Sequence, residues 1–214
     1  MRPVVILGGG GQARVVMDAI EAMGERTILG IVYSGSIPPD FDYPTLGRDD
    51  DLPALVNRHG TFDLFIAVGD GQIRRQISQK VSKYLGDVSY CIVVHPRANK
   101  ASRVELGAGS FLAIGATVGV GANIGEHSLI NTNASVDHGC TVGAYASIAP
   151  NAAIGGDVCI GEAALIGIGA TVLPGLNIGA GSKVASGAVV TRDVPDNSVA
   201  IGVPAQIKGS LSYH

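Results

Sequence analysis

Leu106-Gly107-Ala108-Gly109-Ser110-Phe111-Leu112-Ala113-Ile114-Gly115-Ala116-Thr117-Val118-Gly119 opens a rhythm that continues without a slip as far as Val190. Steps of six from Leu106 reach Leu112, Val118, Ile124, Ile130, Val136, Val142, Ile148, Ile154, Ile160, Ile166, Val172, Ile178, Val184 and Val190. Each of these fifteen positions is Leu, Ile or Val. Gly follows the aliphatic residue at 107, 119, 125, 143, 155, 161, 167 and 179. Four residues after the aliphatic, Ala, Ser or Cys fills every site from Ser110 to Ala188 except Val158 and Leu176. A helix would repeat near 3.6 and a single strand near 2, so a period of six belongs to neither. A coil of short strands explains it. The aliphatic points into a narrow interior, the small residue fits where the chain turns, and Gly or Asn tolerates left-handed backbone angles. Three hexads close one triangular coil, which predicts about five stacked coils.

The residues before this repeat follow another pattern. Val4-Val5-Ile6-Leu7 reads as a strand that breaks at Gly8-Gly9-Gly10-Gly11, and Ala13 to Met23 has the spacing of an amphipathic helix. Ile28 to Tyr33 reads as a second strand, Asp50 to Arg58 as a helix, and Phe62 to Val68 as a third strand. Ile73 to Leu85 reads as a helix and Val88 to Val94 as a fourth strand. This alternation predicts a small parallel α/β sheet of Rossmann type over residues 1–95, followed by an all-β helix with a short tail over 96–214.

Composition narrows the function. The 214 residues include 31 Gly, no Trp and 46% hydrophobic residues, which suits small and β-branched side chains in tight coils. The net charge of −3 without a basic run argues against nucleic acid. No stretch of eighteen apolar residues predicts a membrane span, and the N-terminal apolar run meets glycine too early for a signal peptide. Cys91, Cys140 and Cys159 show no CxxC spacing, so a reduced, cytoplasmic setting is expected.

The repeat, with Val189-Val190-Thr191-Arg192-Asp193-Val194-Pro195-Asp196-Asn197-Ser198 and Ile201-Gly202-Val203-Pro204-Ala205 after it, resembles the hexapeptide acyltransferases. The resemblance implies a left-handed parallel β-helix, a homotrimer and acetyl-CoA as co-substrate, with no metal. The N-terminal half narrows it to the sugar acetyltransferases grouped with sialic acid O-acetyltransferases, among them N-acetyltransferases of nucleotide-linked amino sugars in the bacillosamine and perosamine pathways. The implied activity is acetyl transfer to such an amino sugar, in a site between subunits.

Acyl transfer needs a group that takes a proton from the nucleophile, and histidine titrates in the right range. His59 follows a predicted surface helix, His95 precedes Pro96 at the junction, and His214 is the last residue. His127 occupies a turn position rich in Gly and Asn and is expected to be exposed and non-catalytic. His138, in Asn131-Thr132-Asn133-Ala134-Ser135-Val136-Asp137-His138-Gly139-Cys140, resembles the family's catalytic base. Relatives often carry an acid directly after this histidine, where this chain has Gly139. Either Asp137 contributes or a backbone carbonyl holds the other imidazole nitrogen, although neighbours on a strand point apart.

By position relative to His138, the resemblance implies that Ser147, Gly156, Ile168 and Ser186 line the acetyl-CoA site. Lys183, Arg192 and Lys208 are candidates for its phosphates. Gly8-Gly9-Gly10-Gly11-Gln12-Ala13 fits G-x-G-x-x-A between strand and helix. The acid expected to bind an NAD ribose is replaced by Tyr33 and Ser34. The resemblance instead assigns Gly10, Gly11, Gln12 and Asp70 to a sugar nucleotide, with Gly11-Gln12-Ala13 where relatives have Gly-His-Gly. Other readings are O-acetylation of a sugar hydroxyl, a non-enzymatic sugar-nucleotide scaffold, and a metal hydratase. The last needs three histidines where the repeat holds two.

Overall fold

The computed structural model describes residues 2–35 and 42–210; His214 lies outside them. The first half is a parallel sheet of β1 (Val4–Leu7), β2 (Ile28–Val32), β3 (Thr45–Gly47) and β4 (Asp63–Ile66), in the order β3-β2-β1-β4. Its helices are α1 (Gly11–Met23), α2 (Leu52–His59) and α3 (Gly71–Leu85). All four residues of β1 are buried because both sides of the sheet are covered, the condition under which a parallel strand reads as unbroken apolar sequence. Val4 and Ile6 pack with Val16 and Ile20 of α1 and with Phe111 and Leu129 of the repeat. Val5 and Leu7 face Leu52 and Leu55 of α2 and Val81 of α3. The two halves therefore share a core.

Two expectations for this half are corrected. Of Val88 to Val94, only Tyr90 bridges the sheet, at Leu64, while Val93–Val94 pairs with Phe111–Leu112 and starts the second half. The fourth strand is instead Thr45–Gly47, three residues with no apolar alternation to announce them. The acidic helix start is a separate 3-10 turn, Asp49–Asp51, where Asp51 accepts the Arg48 N–H at 2.8 Å.

From Val93 onward, two-residue strands recur every six residues, and each pairs in parallel with the strand eighteen residues away. They form three faces. One, of eight strands, includes Phe111–Leu112, Leu129–Ile130, Ser147–Ile148 and Lys183–Val184 and carries the N-terminal half. A six-strand face includes Ser135–Val136 and Ala153–Ile154, and a five-strand face includes Thr141–Val142 and Cys159–Ile160. The aliphatic column from Leu112 to Val190 is at most 2% exposed and fills the interior. Left-handed backbone falls three residues after each aliphatic from Leu106 to Val184, as at Gly139 (φ 65°) and Asp157 (φ 58°). The glycines directly after the aliphatics serve close stacking instead: a Cβ at Gly119 would lie 2.5 Å from the His138 amide nitrogen.

The seam between the halves is fastened by Arg74 of α3, whose side chain is fully buried. Its Nε donates to His127 O at 2.8 Å. Nη1 donates to Val68 O at 2.9 Å and Gly69 O at 2.8 Å, and Nη2 to Tyr145 O at 2.5 Å, Ala146 O at 3.1 Å and Ser147 Oγ at 3.0 Å. Burial pushes its pKa down to about 10, which leaves it charged at neutral pH. Gly71 sits where a Cβ would be 2.2 Å from Tyr145 O, so the start of α3 is pressed against the coils.

His127 is part of the same seam, and the expectation that it is exposed is corrected. Its turn position is left-handed (φ 55°), but the side chain folds inward and is 3% exposed. The ring stacks on Tyr145 at 5.1 Å and makes an edge-on contact with Tyr90 at 4.5 Å, with Nδ1 unpaired among the described residues. Burial, helped by the Arg74 charge, lowers its pKa from 6.5 to about 4.

Arg74→Met leaves buried carbonyls without donors and should destabilise the protein by about 3 kcal/mol or more, lowering Tm by roughly 10 °C. An unchanged Tm in calorimetry would remove Arg74 from this role. A second expectation concerns acid. Unfolded histidine takes a proton near pH 6.5, whereas folded His127 resists it until about pH 4. Its stabilisation is therefore complete above pH 6.5 and is lost as pH falls from 6.5 to 4. His127→Asn, which also tolerates left-handed backbone, should flatten that part of the stability–pH curve in urea titrations. Parallel wild-type and variant curves across this window would refute the assignment.

Candidate active site

The strand order reverses direction between β1 and β4, which opens a crevice beyond their C-terminal ends. One lip is Gly8 to Gln12, the other Val68 to Gln72. The glycines on the first lip differ in cause. Gly8 has φ 126°, and a Cβ on it would meet Ala67 O at 2.8 Å; a Cβ on Gly9 would touch the Tyr33 ring at 2.9 Å. A Cβ on Gly10 or Gly11 would meet nothing within 4 Å. The protein's own packing does not require glycine there, but a ligand lying against the backbone would. No side chain caps α1 at Gly10, which suits a helix N-terminus that receives an anion.

The Gln12 side chain reaches the coils. Its Oε1 accepts from Asn131 Nδ2 at 3.2 Å, while its buried Nε2 has no partner among the described residues. A buried amide donor left open at the mouth of a crevice fits an acceptor on a bound ligand. On the other lip, Asp70 Oδ1 caps α3 by accepting from Gln72 N at 2.9 Å and Ile73 N at 3.1 Å. Gln12 thus meets the coils at Asn131, while Asp70 lines a small cavity with Gly69, Gln72, Ser147 and Lys183. The Tyr33 ring lies over Gly9 where a ribose-binding acid would stand in a dinucleotide site.

His138 is elsewhere. It lies in the turn between the six-strand and five-strand faces, the corner opposite the face that carries the N-terminal half. The imidazole is 56% exposed and lies over Gly156, where a Cβ would be 2.5 Å from Cε1 and Nε2. Asp137 turns to its neighbour's backbone: Oδ1 accepts the His138 N–H at 2.7 Å. The carboxylate beside the ring is that of Asp157, with Oδ1 3.9 Å from Nδ1. Beside this corner a groove runs along the six-strand face, lined by Thr117, Ser135, Asp137, Ala153, Leu173 and Pro174.

The residues expected around acetyl-CoA separate into three places. Gly156 lies under the His138 ring on one edge of the six-strand face. Ile168, 56% exposed, and Ser186, also exposed, stack on the other edge. Ser147 stands apart on the eight-strand face, 5% exposed, its hydroxyl donating to Gly69 O at 3.0 Å and accepting from Arg74. Lys183 borders a small cavity with Asp70 and Gln72, Arg192 donates to Gln206, and Lys208 is exposed on the strand Gln206–Ser210. Arg74, Asn131 and Asp157 were not singled out by motif. Asp157 was within reach of the period alone, since it lies one coil of eighteen residues beyond Gly139.

Comparison with known proteins adds to this geometry. A family model described as the PglD N-terminal domain matches residues 3–81, and one described as bacterial transferase hexapeptide (six repeats) matches residues 121–156. PerB from Caulobacter crescentus, solved with CoA and GDP-perosamine, is 40% identical, with 97% of this chain and 97% of that chain covered and a TM-score of 0.90. The acetyltransferase domain of PglB from Neisseria gonorrhoeae is 31% identical, covering 97% of this chain and 100% of that one, with a TM-score of 0.83. WeeI from Acinetobacter baumannii is 26% identical over 97% and 100% of the two chains, with a TM-score of 0.84. This chain belongs to the hexapeptide-repeat sugar acetyltransferases, which join a PglD-type N-terminal domain to a left-handed β-helix.

Proposed function

We propose that this protein transfers acetyl from acetyl-CoA to the amine of a nucleotide-linked sugar in the cytoplasm, with His138 as general base, in a site shared by two copies of a homotrimer. The observation that carries the reading is the placement of the two candidate sites. The crevice opens beside the eight-strand face, and His138 occupies the corner opposite that face. One copy's crevice would therefore present its sugar to another copy's histidine. PerB from Caulobacter, solved with CoA and GDP-perosamine, supports the substrate class, and the PglB domain, solved with acetyl coenzyme A, supports the donor.

In this mechanism the diphosphate lies on Gly10 and Gly11 at the start of α1. Gln12 Nε2 donates to an oxygen of the ligand, and Asp70 closes the opposite lip. The thioester lies along the six-strand face, bounded by Gly156 at one edge and Ile168 and Ser186 at the other. The neutral amine attacks the thioester carbonyl as His138 takes its proton. The tetrahedral intermediate then collapses with cleavage of the C–S bond, and the departing thiolate receives a proton. O-acetylation of a hydroxyl would follow the same steps, so the acceptor must be established by assay.

Acetyl transfer to a panel of UDP-, GDP- and dTDP-linked amino sugars should show turnover with at least one of them. His138→Ala should lower kcat by about 10²–10⁴-fold while CoA binding is retained. Full activity in this variant removes His138 from the role of base. Subunit sharing has its own test. Mixed trimers of His138→Ala and a crevice-blocking Gly11→Leu variant should recover part of the activity that each lacks alone. No recovery after verified subunit exchange would place the whole site within one copy.

A further inference from the structure

We infer that Asp157, reaching across from the next coil, is the carboxylate that orients the His138 ring for its role as base. The inference rests on the proposed role of His138 as base. Three acids or acid positions surround this turn, and the geometry separates them. Position 139 is glycine. Asp137 is committed to the His138 backbone N–H at 2.7 Å. Asp157 alone directs an oxygen at the ring, 3.9 Å from Nδ1, and its own backbone N–H donates to His138 O at 2.9 Å. The remaining titratable neighbour, the buried Cys140 thiol, donates to Gly155 O at 3.1 Å.

The space over Gly139 explains the choice. A Cβ there would lie 2.2 Å from Asp157 Oδ1, so the carboxylate fills the volume that a side chain at 139 would need. The same posture recurs where Asn133 covers Gly115 and Asn197 covers Gly181, so this folding-back belongs to the coil itself. At those two places the group over the glycine is an amide. Over Gly139 it is a carboxylate, and a histidine precedes the glycine. The left-handed positions of this corner read Arg103, Gly121, Gly139, Asp157 and Gly175, so Asp157 stands between two glycines, the residue that the backbone prefers.

Both groups face solvent in one chain, with side chains 56% and 72% exposed. Covering the corner with a second copy and its acceptor would displace water and strengthen the pairing. Asp157 Oδ1 would then hold the Nδ1 proton, leaving Nε2 to face the acceptor amine. As the imidazole takes the second proton, the carboxylate stabilises the cation.

Asp157→Asn tests this with little change of shape, since asparagine already adopts the same posture at two other coils. Asp157→Gly is a second variant that suits the left-handed backbone. Both should lower kcat by about 10-fold with KM for acetyl-CoA unchanged. If both Asp157 variants fold and keep the wild-type kcat while His138→Ala is inactive, this inference fails and the base assignment stands. A fully active His138→Ala variant overturns the underlying reading instead.

Discussion

The buried guanidinium of Arg74 is the constraint from which the rest of the arrangement follows. Among the described residues no carboxylate hydrogen-bonds to it; five carbonyls and the Ser147 hydroxyl satisfy it. Two of those carbonyls, Val68 and Gly69, belong to the loop that forms one lip of the crevice. The other three, His127, Tyr145 and Ala146, belong to successive coils of the β-helix. A buried cation held this way has a high penalty for losing partners, so the loop and the coils are fixed relative to each other. Gly71 tightens the same contact, because only a residue without Cβ allows Tyr145 O so close. The crevice is therefore registered against a particular coil.

This registration explains what was legible in the sequence and what was not. The β-helix was legible because a period of six is enforced at every turn by burial of one aliphatic residue, and each coil repeats the test. The sheet was partly legible. Val4–Leu7 is apolar throughout because both faces are covered, whereas Thr45–Gly47 contributes strand hydrogen bonds with little apolar side-chain signal. Val93–Val94 looked like a sheet strand because two valines suit any buried strand; its partner, Phe111–Leu112, lies in the other half. Arg74 gave no signal at all. An arginine in an amphipathic helix normally marks the solvent side, and only the carbonyls of distant residues make its burial tolerable.

The site was legible to different depths for a related reason. The crevice could be read from Gly8 to Gln12 because backbone geometry leaves glycine as its trace. Within that run the structure separates glycines needed for packing, Gly8 and Gly9, from those whose space is open, Gly10 and Gly11. His127 and His138 share a turn-rich context in sequence but occupy different corners of the coil. One corner is covered by the N-terminal half and the other is open, which makes one ring buried and the other exposed. Linear proximity also misled for Asp137, whose carboxylate serves the backbone beside it. In a coil of eighteen residues, a side chain's neighbours are found one turn away as often as one residue away.

The triangular cross-section then limits how such a protein can do chemistry on two substrates. Attaching a domain to one face removes that face and influences its two bounding corners, leaving only the third corner fully open. His138 stands at that third corner, as far around the coil from the domain as a turn residue can be. A groove on the six-strand face runs up to it, lined largely by small residues that expose backbone and demand little side-chain specificity. Donor contacts made by backbone can be shared by enzymes with different acceptors, because they place few demands on sequence. On the proposed reading, acceptor choice falls to Gln12 and Asp70 of the attached domain and to Asn131 of the coil beside it. On that reading, the Arg74 seam that fixes Val68 and Gly69 to the coils also holds the acceptor site in register with the β-helix, while His138 of the same chain stands at the opposite corner.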